Sequence, residues 1–311
     1  MSQAADAPPS SSLLGPLEGY WQDVHEPDFL LGVEGPEMTI AFQGRVREAG
    51  VILGTGESGL RVCMIGREET LDLARRGDQL VFRDLKRGQT RELQRIDQKP
   101  DSLSREMALP EAKPLSEDRI ASIQREVRRR SDTEQEHMIR PTRGKPRQDL
   151  PWLQTSTGAS PTRTENLDLL IAAQTTANTE YLRGLIAEVG WIDAARFGYG
   201  ASNAAFLLLQ HSWDLPLMLA VLPRLKADVD AGLMEKDPYA LLYDRIQLAQ
   251  GLRQRYGSQV IKAETGEIMV LPLEEPDQVD ARRQELGMIP LRRYVALFGA
   301  PEVKISPACT P

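Results

Sequence analysis

Two neighbouring helical segments carry polar residues where an apolar face is expected, and these residues have the chemistry for acid–base work. The first segment ends in Gln210-His211 and is followed by Asp214, and the second contains Asp244-Arg245. Charged groups on the core side of a helix are costly unless they are paired or used. A histidine can transfer protons near neutral pH, and a carboxylate can orient it. The sequence therefore predicts a site here, with His211 and Asp244 as catalytic residues.

His211 is carried on the apolar stripe of its helix. Four residues recur at the i, i+3, i+4, i+7 spacing of one helix face: Ala204, Leu207, Leu208 and His211. A general base is one interpretation, because this is the only histidine between residues 165 and 299. A buried histidine bonded to a backbone carbonyl is the other. The residues leave both interpretations open.

Asp244 and Arg245 lie in the middle of a helix that is apolar on most sides. A buried carboxylate and guanidinium are tolerated when both are hydrogen-bonded, so the pair indicates either a ligand-facing role or a structural clamp. Asp214 has a simpler explanation. It precedes a helix with Pro216 in its first turn, and we expect it to be the N-cap.

The second helix runs into the segment 254–259, Gln-Arg-Tyr-Gly-Ser-Gln. Gly257 is predicted to end the helix, which places the polar side chains at a helix-to-strand corner, where loops often carry binding groups. Capping and turn chemistry explain the glycine and the serine but not two glutamines and a tyrosine. We therefore predict these substrate-binding residues: Gln210, Arg245, Gln254, Tyr256 and Gln259.

These residues fall in an ordered pattern, which runs Gly190-Trp191, Gln210-His211, Asp244-Arg245 and Tyr256-Gly257-Ser258-Gln259. The pattern resembles a bacterial helical domain family with the signature Gly-Trp-Pro, Gln-His-Ala-Asp, Asp-Arg and Tyr-Gly-Thr-Gln. That family has no established biochemical activity, so the resemblance implies no reaction.

Two positions depart from the family signature. Ile192 stands in place of the proline, and Trp213 stands in place of the aspartate that follows the histidine, with Asp214 one place later. If the family aspartate is catalytic, this chain would be impaired or would have a shifted geometry.

The elements that must position these residues lie in a chain of three parts. Residues 17–98 contain short alternating runs separated by glycines, which predicts roughly six to eight antiparallel strands in a small barrel or sandwich. Residues 99–164 form a proline-rich linker with one helix, and residues 165–299 form a mainly helical domain with one β-hairpin. The predicted fold class is α+β. Tails remain at 1–16, expected to be disordered, and at 300–311.

Helical periodicity and start signals predict the individual helices. The linker helix begins at the N-cap candidate Ser116 and ends in the basic run 128–130. The stretch 140–164, rich in proline, threonine and arginine, is expected to be mobile. Further helices are predicted over 166–189, 201–213 and 239–255, and the first of these is expected to end at a glycine.

The strand-rich part carries a second resemblance. The opening Gly19-Tyr20-Trp21 and the closing Arg91 and Arg95 resemble small lipocalin-like β-barrel modules of bacterial proteins. The resemblance implies that a GxW in the first strand and a terminal arginine pack across one end of the barrel. Such a barrel can hold an apolar ligand or be filled by its own side chains, and a short barrel favours the filled form.

Composition limits the class of protein. The chain has 41% apolar and 27% charged residues, values of ordinary globular proteins, and its net charge of −7 argues against a nucleic-acid footprint over the whole surface. No apolar run is long enough to span a membrane, and the first residues lack a secretory signal pattern. Cys63 and Cys309 have neither metal-ligand nor disulfide-framework spacing. We expect a cytoplasmic protein without metal or cofactor, and no oligomeric state is predicted.

Two functions from different classes remain. The first is a hydrolase-like enzyme that uses acid–base chemistry on a polar or anionic substrate, since no nucleophilic cysteine, metal triad or glycine-rich phosphate loop is visible in the helical domain. The second is a non-enzymatic module that binds a small molecule, a peptide or a partner protein. Convergence of the predicted site residues on one open pocket would favour the first function, and a sealed, fully bonded network would favour a structural role.

Overall fold

The computed structural model describes residues 15–35, 37–42, 45–55, 60–64, 69–85, 88–139, 163–263 and 266–306. Its strands precede most of its helices, and the predicted α+β class is confirmed. Most of the tail 1–16, the stretch 140–162 and Cys309 lie outside the described residues, so the expectations about them stay predictions.

The chain forms two compact units. The first unit contains the described residues before Ala108, the segment Asp214–Leu222 and the described residues from Glu235 onward. The second unit contains Ala108–Trp213 and Pro223–Met234. These boundaries differ from the predicted parts, because the residues of the predicted helical domain divide between the two units.

The first unit opens with an antiparallel β-barrel. Its strands are β1 (Gly19–Asp23), β2 (Phe29–Glu34), β3 (Glu37–Phe42), β4 (Arg45–Thr55), β5 (Leu60–Met64), β6 (Glu69–Arg76), β7 (Gln79–Asp84) and β8 (Thr90–Ile96). Each strand pairs with the next along the chain, and β1 also pairs with β8, which closes the ring. Full closure removes the exposed sheet edges. The structure thus selects the barrel over the sandwich.

One cluster of buried apolar side chains forms the main core of this barrel. It includes Trp21, Phe29, Leu31, Val33, Met38, Leu71, Leu73, Leu80, Phe82 and Leu93. Alternate residues of β2 belong to it, as expected for a strand with one face on the core. On the other face of β2, Leu30 packs with Leu103, which a 3₁₀ turn at Asp101–Leu103 carries. This packing is what a barrel filled by its own side chains requires.

Trp21 makes the contact that the lipocalin-like resemblance implies. The Trp21 indole N–H donates to the Leu17 carbonyl at 2.9 Å, and the Arg95 guanidinium carbon lies 5.7 Å from the Trp21 ring centroid. A Cβ at Gly19 would approach an Arg95 guanidinium nitrogen to 3.0 Å. Glycine at this position therefore leaves room for the arginine over the tryptophan. The contact agrees with the resemblance, and the family assignment itself stays a prediction.

The second unit contains helices α1 (Glu117–Ile139), α2 (Arg163–Val189) and α3 (Ala194–His211). The Ser116 hydroxyl accepts from the Arg119 N–H at 3.3 Å, so the predicted start of α1 is correct. The predicted end at 128–130 is wrong. Arg129 and Arg130 both bond the Glu126 carboxylate one turn earlier, and these i, i+3 and i, i+4 pairs stabilise a continuing helix instead of capping it.

The other boundaries in this unit follow from caps and glycines. Gly190, at a φ of +81°, follows α2, as predicted. Helix α3 begins before the predicted residue 201, because Asp193 accepts the Arg196 N–H at 2.9 Å and caps it. A kink at Gly198, with a φ of +71°, separates the first turn of α3 from the remainder. The irregular turn at Gly198 is why sequence periodicity located only the later part.

The remaining elements are α4 (Leu215–Asp230), α5 (Lys236–Ala249), β9 (Val260–Lys262), β10 (Ile268–Val270), α6 (Val279–Glu285) and α7 (Leu291–Ala296). The β9–β10 pair confirms the predicted hairpin. The predicted helix end at Gly257 is wrong, since α5 ends at Ala249 and Gly251 has the positive φ, +75°, of a C-terminal glycine. Across the described residues, every helix is too short or too polar to cross a membrane.

Candidate functional site

The predicted site residues divide between the two units. Asp244, Arg245, Gln254, Tyr256 and Gln259 belong to the first unit, and Gln210 and His211 belong to the second. Within the first unit, the structure brings the predicted residues together around the segment 254–259, called the corner below. Within the second unit, it places His211 beside residues that the sequence did not single out.

The side chain of Asp244 holds the corner by accepting hydrogen bonds from the backbone N–H groups of the corner. Its side chain is 0% exposed. One carboxylate oxygen accepts from the N–H groups of Arg255 at 2.8 Å and Tyr256 at 3.0 Å, and the other accepts from Ser258 at 2.9 Å. Burial raises the pKa of Asp244, against the opposing effect of these backbone donors. The carboxylate thus satisfies backbone donors, and no arginine or lysine nitrogen of the described residues forms an ion pair with it.

Gln254 also bonds the backbone of the corner. Its side-chain amide donates to the carbonyls of Gln259 at 3.0 Å and Leu271 at 2.7 Å, and its side-chain oxygen accepts from the Gln259 N–H at 2.9 Å. A glutamine has two donors and one acceptor oxygen. Gln254 uses all of them to join the corner to the chain that follows β10.

Three further side chains donate to the carbonyls of the corner. Arg282 bonds the Arg255 carbonyl at 2.9 Å, Arg283 bonds the Tyr256 carbonyl at 2.7 Å, and the Tyr294 hydroxyl bonds the Ser258 carbonyl at 2.8 Å. Buried backbone groups need such partners. The two arginines and the tyrosine therefore bond backbone carbonyls of the corner that Asp244 and Gln254 leave unbonded.

Arg245 and Gln259 contact each other at one side of the corner. The Arg245 guanidinium donates to the Gln259 side-chain oxygen at 3.1 Å, and the Gln259 amide donates to the Leu241 carbonyl at 3.2 Å. Burial lowers the pKa of Arg245 to about 10, so the group stays cationic at neutral pH. Tyr256 packs its ring on Tyr243 at 5.7 Å between centroids. These contacts favour the structural clamp over the ligand-facing role for the corner, and catalysis by Asp244 stays a prediction.

His211 lies beside a buried glutamate in the second unit. Its Nδ1 is 3.5 Å from a carboxylate oxygen of Glu134, and the two side chains are 17% and 2% exposed. Glu134 comes from α1 and His211 from the end of α3. The imidazole is the more exposed of the two side chains, and the carboxylate is buried. This is the arrangement in which a carboxylate orients a histidine through one ring nitrogen and leaves the other for proton transfer.

Helix α2 supplies the polar partners of α1 in the same layer. The Thr175 hydroxyl donates to Glu134 Oε1 at 3.0 Å, and an Arg130 guanidinium nitrogen donates to Asn178 Oδ1 at 3.2 Å. Arg130 also lies 4.1 Å from the Tyr181 ring centroid. Glu134 and Asn178 are each 1% exposed. A buried layer of this kind is costly unless its groups are bonded or bind something.

The sequence did not identify Glu134 because the predicted helix end was wrong. In the longer α1, Glu134 continues the stripe that begins with Ile120, Ile123 and Val127 at helical spacing. A carboxylate on the apolar stripe of a helix is the same signal that marked Asp244. Continued beyond the three arginines, the same pattern indicates Glu134 as well.

Backbone geometry accounts for Trp213 and Asp214, the second and third residues after His211. The Asp214 carboxylate accepts the Leu217 N–H at 3.1 Å, so its predicted N-cap role is confirmed. Trp213 has a φ of +51° and is 41% exposed. Aspartate and asparagine adopt positive φ more readily than tryptophan. Backbone conformation therefore gives a reason for an aspartate at this position that does not involve chemistry.

Among the described residues, no three histidine, cysteine or acidic side chains are grouped as metal ligands.

A family model described as "Family of unknown function (DUF6624)" matches residues 153–304. This match supports the resemblance to an uncharacterised domain family, while the motif signature and the bacterial origin stay predictions. Searches of curated proteins and of solved structures found no match.

Proposed function

We propose that the second unit carries out hydrolase-like acid–base chemistry on a polar substrate, with His211 as the proton-transferring residue. The observation that carries the proposal is the pairing of His211 Nδ1 with the buried Glu134 carboxylate at 3.5 Å. That distance is longer than a good hydrogen bond, and catalytic hydrogen bonds without bound substrate are often long. In this proposal Glu134 has the orienting role that the sequence analysis predicts for Asp244.

Glu134 is suited to orient the imidazole because its other oxygen is already fixed by Thr175. A carboxylate on this side favours the tautomer with a proton on Nδ1, which leaves Nε2 as the base. Ser212, the neighbour of His211, donates its hydroxyl to the Leu209 carbonyl at 2.7 Å and is buried. Because the Ser212 hydroxyl is already bonded, we propose water as the nucleophile that His211 activates.

A non-enzymatic binding role for the same polar layer is the second candidate. It is favoured by one observation: Glu134 Oε2 and Asn178 Nδ2 are buried and have no hydrogen-bond partner among the described residues. A bound polar ligand would satisfy both atoms without any reaction. Native mass spectrometry of the purified chain separates the two candidates, since a retained ligand without turnover supports binding alone. A cytoplasmic setting is part of either proposal and is a prediction from the sequence.

The test of the enzyme is a turnover screen with paired variants. The wild type is assayed on panels of esters, amides, glycosides and phosphate esters, together with His211→Ala and Glu134→Gln. We expect one substrate class to be hydrolysed, and both variants to lower kcat/KM by roughly 10²–10⁴-fold. Glu136→Gln, on the exposed side of α1, and His25→Ala, in the barrel, are the matched controls and should keep full activity. Absence of turnover in every panel, or unchanged turnover in His211→Ala, would reject the proposal.

A further inference from the structure

Strand β10 turns the backbone polar groups of one residue, Ile268, away from its partner strand. In the β9–β10 hairpin, the Ala263 N–H donates to the Glu267 carbonyl at 2.8 Å, and Ile268 lies opposite Lys262. Opposed pairs of an antiparallel ladder alternate between bonded and non-bonded. The Ile268–Lys262 pair is therefore non-bonded, and the N–H and C=O of Ile268 point away from β9. Among the described residues, neither group has a backbone hydrogen-bond partner.

A short stretch near the end of the described chain covers the same side of β10 two residues later. Val270 donates to the Lys304 carbonyl and accepts from the Ser306 N–H, both at 2.7 Å, which makes a parallel bridge. Continued one step toward the hairpin turn, this ladder would bond Ile268 to the backbone of Glu302 and Lys304. Within the described part of the chain those bonds are not formed. The chain after α7 thus separates from β10 at Ile268, and the gap between them is called the fork below.

The fork contains an open cavity of about 550 Å³, which is within the size range of ligand sites. Ile268 lines it, together with two lysines and two glutamates, Lys262, Lys304, Glu267 and Glu302. Lys304 bonds Glu267 and lies 3.5 Å from a carboxylate oxygen of Glu302. The formal charges of the four side chains cancel. The lining therefore favours a ligand without net charge over an anion or a cation.

Phe298 gives the same cavity an apolar surface. Its ring lies 5.3 Å from the Tyr294 ring between centroids, in an edge-to-face contact at 71°. Tyr294 is half-buried, so this contact fixes one side of the phenylalanine, which still remains 47% exposed. Sheet edges that bind peptides combine unpaired backbone groups with a pocket for a side chain. The fork has both.

We propose that the fork binds an extended peptide segment that carries an apolar side chain. One residue of the peptide donates its N–H to the Ile268 carbonyl and accepts from the Ile268 N–H, and an apolar side chain of the peptide packs on Phe298. Unpaired backbone groups at a sheet edge are a template for such pairing. The inference goes beyond the proposed function, because the fork belongs to the first unit and does not involve His211.

The test measures binding of two matched probes to the full chain by NMR. The first is N-acetyl-leucine N-methylamide, and the second has an additional methyl group on the leucine nitrogen, which removes the N–H that would reach Ile268. We expect the first probe to shift the amide resonances of Ile268 and Lys304. The second should need a concentration roughly fivefold or more higher, because one hydrogen bond is lost. The indole resonance of Trp21, in the barrel core, should not move with either probe.

Proline at position 268 tests the backbone donor directly. Ile268→Pro removes the N–H that faces the fork, and a strand tolerates proline where that group does not join the ladder. Ile268→Ala loses the same side chain but keeps the N–H, so it is the matched control. With the Lys304 amide as the reporter, we expect the proline variant to bind the first probe roughly fivefold or more weakly than the alanine variant does.

A second pair of variants tests the apolar surface without any change in β10. Phe298→Ala should weaken binding of the first probe by roughly threefold or more, because apolar contact area is lost. Leu297→Ala, at a neighbouring side chain that is 73% exposed and does not line the cavity, should leave binding unchanged. This pair keeps the inference testable if the proline variant does not fold.

Equal binding of the two probes would overturn the inference, as would equal binding by Phe298→Ala and Leu297→Ala, or the absence of any shift up to the solubility limit. Shifts of the Ile268 and Lys304 amides that depend on protein concentration alone would assign the fork to a second copy of the chain and reject the peptide. Since no turnover is measured, failure of this test leaves the proposed function intact. Absence of turnover in the substrate panels, in turn, leaves this inference intact.

Discussion

Two buried carboxylates in this protein differ in how completely their oxygens are bonded. Asp244 accepts from three backbone N–H groups of the corner. Glu134 accepts one hydroxyl on Oε1, while Oε2 faces an imidazole at 3.5 Å without a hydrogen bond of good geometry. A fully bonded carboxylate rigidifies its surroundings, whereas one with an unmatched oxygen can respond to a ligand. The contrast is consistent with a structural role for Asp244 and with the chemistry that we propose for Glu134.

Replacing Asp244 should therefore lower stability without a specific effect on turnover. Asp244→Asn puts an NH₂ group against backbone donors, and we expect it to reduce the free energy of unfolding by about 1–3 kcal/mol. Asp237→Asn, at an exposed position on α5, should change it by less than about 1 kcal/mol. Denaturant titration measures both values.

The pH dependence of the free energy of unfolding provides a second test of the role of Asp244. Because burial raises the pKa of Asp244 above its unfolded value, the folded state binds the proton more tightly than the unfolded state. The associated stability is present at acid pH and is lost as the pH rises through the raised pKa. Asp244→Asn should remove this slope, whereas Asp237→Asn should retain it. A specific loss of kcat in Asp244→Asn at full stability would instead restore the catalytic role predicted from the sequence.

At the scale of elements, the corner depends on a glycine as well as on side chains. Gly257 has a φ of +67°, and a Cβ placed there would meet Leu291 at 3.0 Å and Leu273 at 3.3 Å. Gly287 has a similar φ, +70°, but a Cβ there would meet nothing within 4 Å. A residue with a Cβ would be strained at both positions because of the positive φ. It would be crowded by other side chains only at Gly257.

Alanine at the two glycines separates these effects. Gly287→Ala should cost about 1–2 kcal/mol from backbone conformation alone, and Gly257→Ala should cost roughly 1–3 kcal/mol more because the added methyl group crowds two buried leucines. Thermal or denaturant unfolding of both variants gives the comparison. Equal losses would show that the leucines move aside and that crowding adds nothing.

The sequence predicted elements better where caps mark their ends than where charges do. Ser116 and Asp214 carry capping oxygens that act on the next turn, and both helix starts were correct. The run 128–130 predicts a helix end because cations favour that position, yet the arginines bond a glutamate one turn earlier. Local charge could not reveal this, since the pairing depends on whether the helix continues.

The candidate site was predictable only in part, for a related physical reason. Polar residues on an apolar stripe correctly marked His211 and Asp244 as buried or nearly buried, but the pattern carries no information on what bonds them. The donors to Asp244 are backbone groups more than ten residues later in the chain. Glu134 and His211 come from helices whose meeting is a tertiary event. Tertiary packing determines which groups bond these side chains, and the spacing of residues along the sequence does not.

At the scale of the whole molecule, the barrel is the part of the chain that carries its core within one continuous segment. The main core cluster draws on residues 17–93, and the cluster around Leu103 draws on residues 20–103. The pairing of β1 with β8 closes the sheet within the same segment. Each unit as a whole, by contrast, is assembled from separate stretches of chain, three in the first unit and two in the second.

Residues 1–107 should therefore fold when expressed alone. We expect a cooperative unfolding transition, followed through the fluorescence of the buried Trp21, and dispersed amide resonances in NMR spectra. Leu103→Ala, which removes a side chain 3% exposed, should cost about 2–5 kcal/mol in this fragment. Leu85→Ala, at a side chain 43% exposed, should change stability by less than about 0.5 kcal/mol. A fragment without a cooperative transition would show that the closed ring and its core are insufficient, and that the barrel needs the later residues of its own unit to fold.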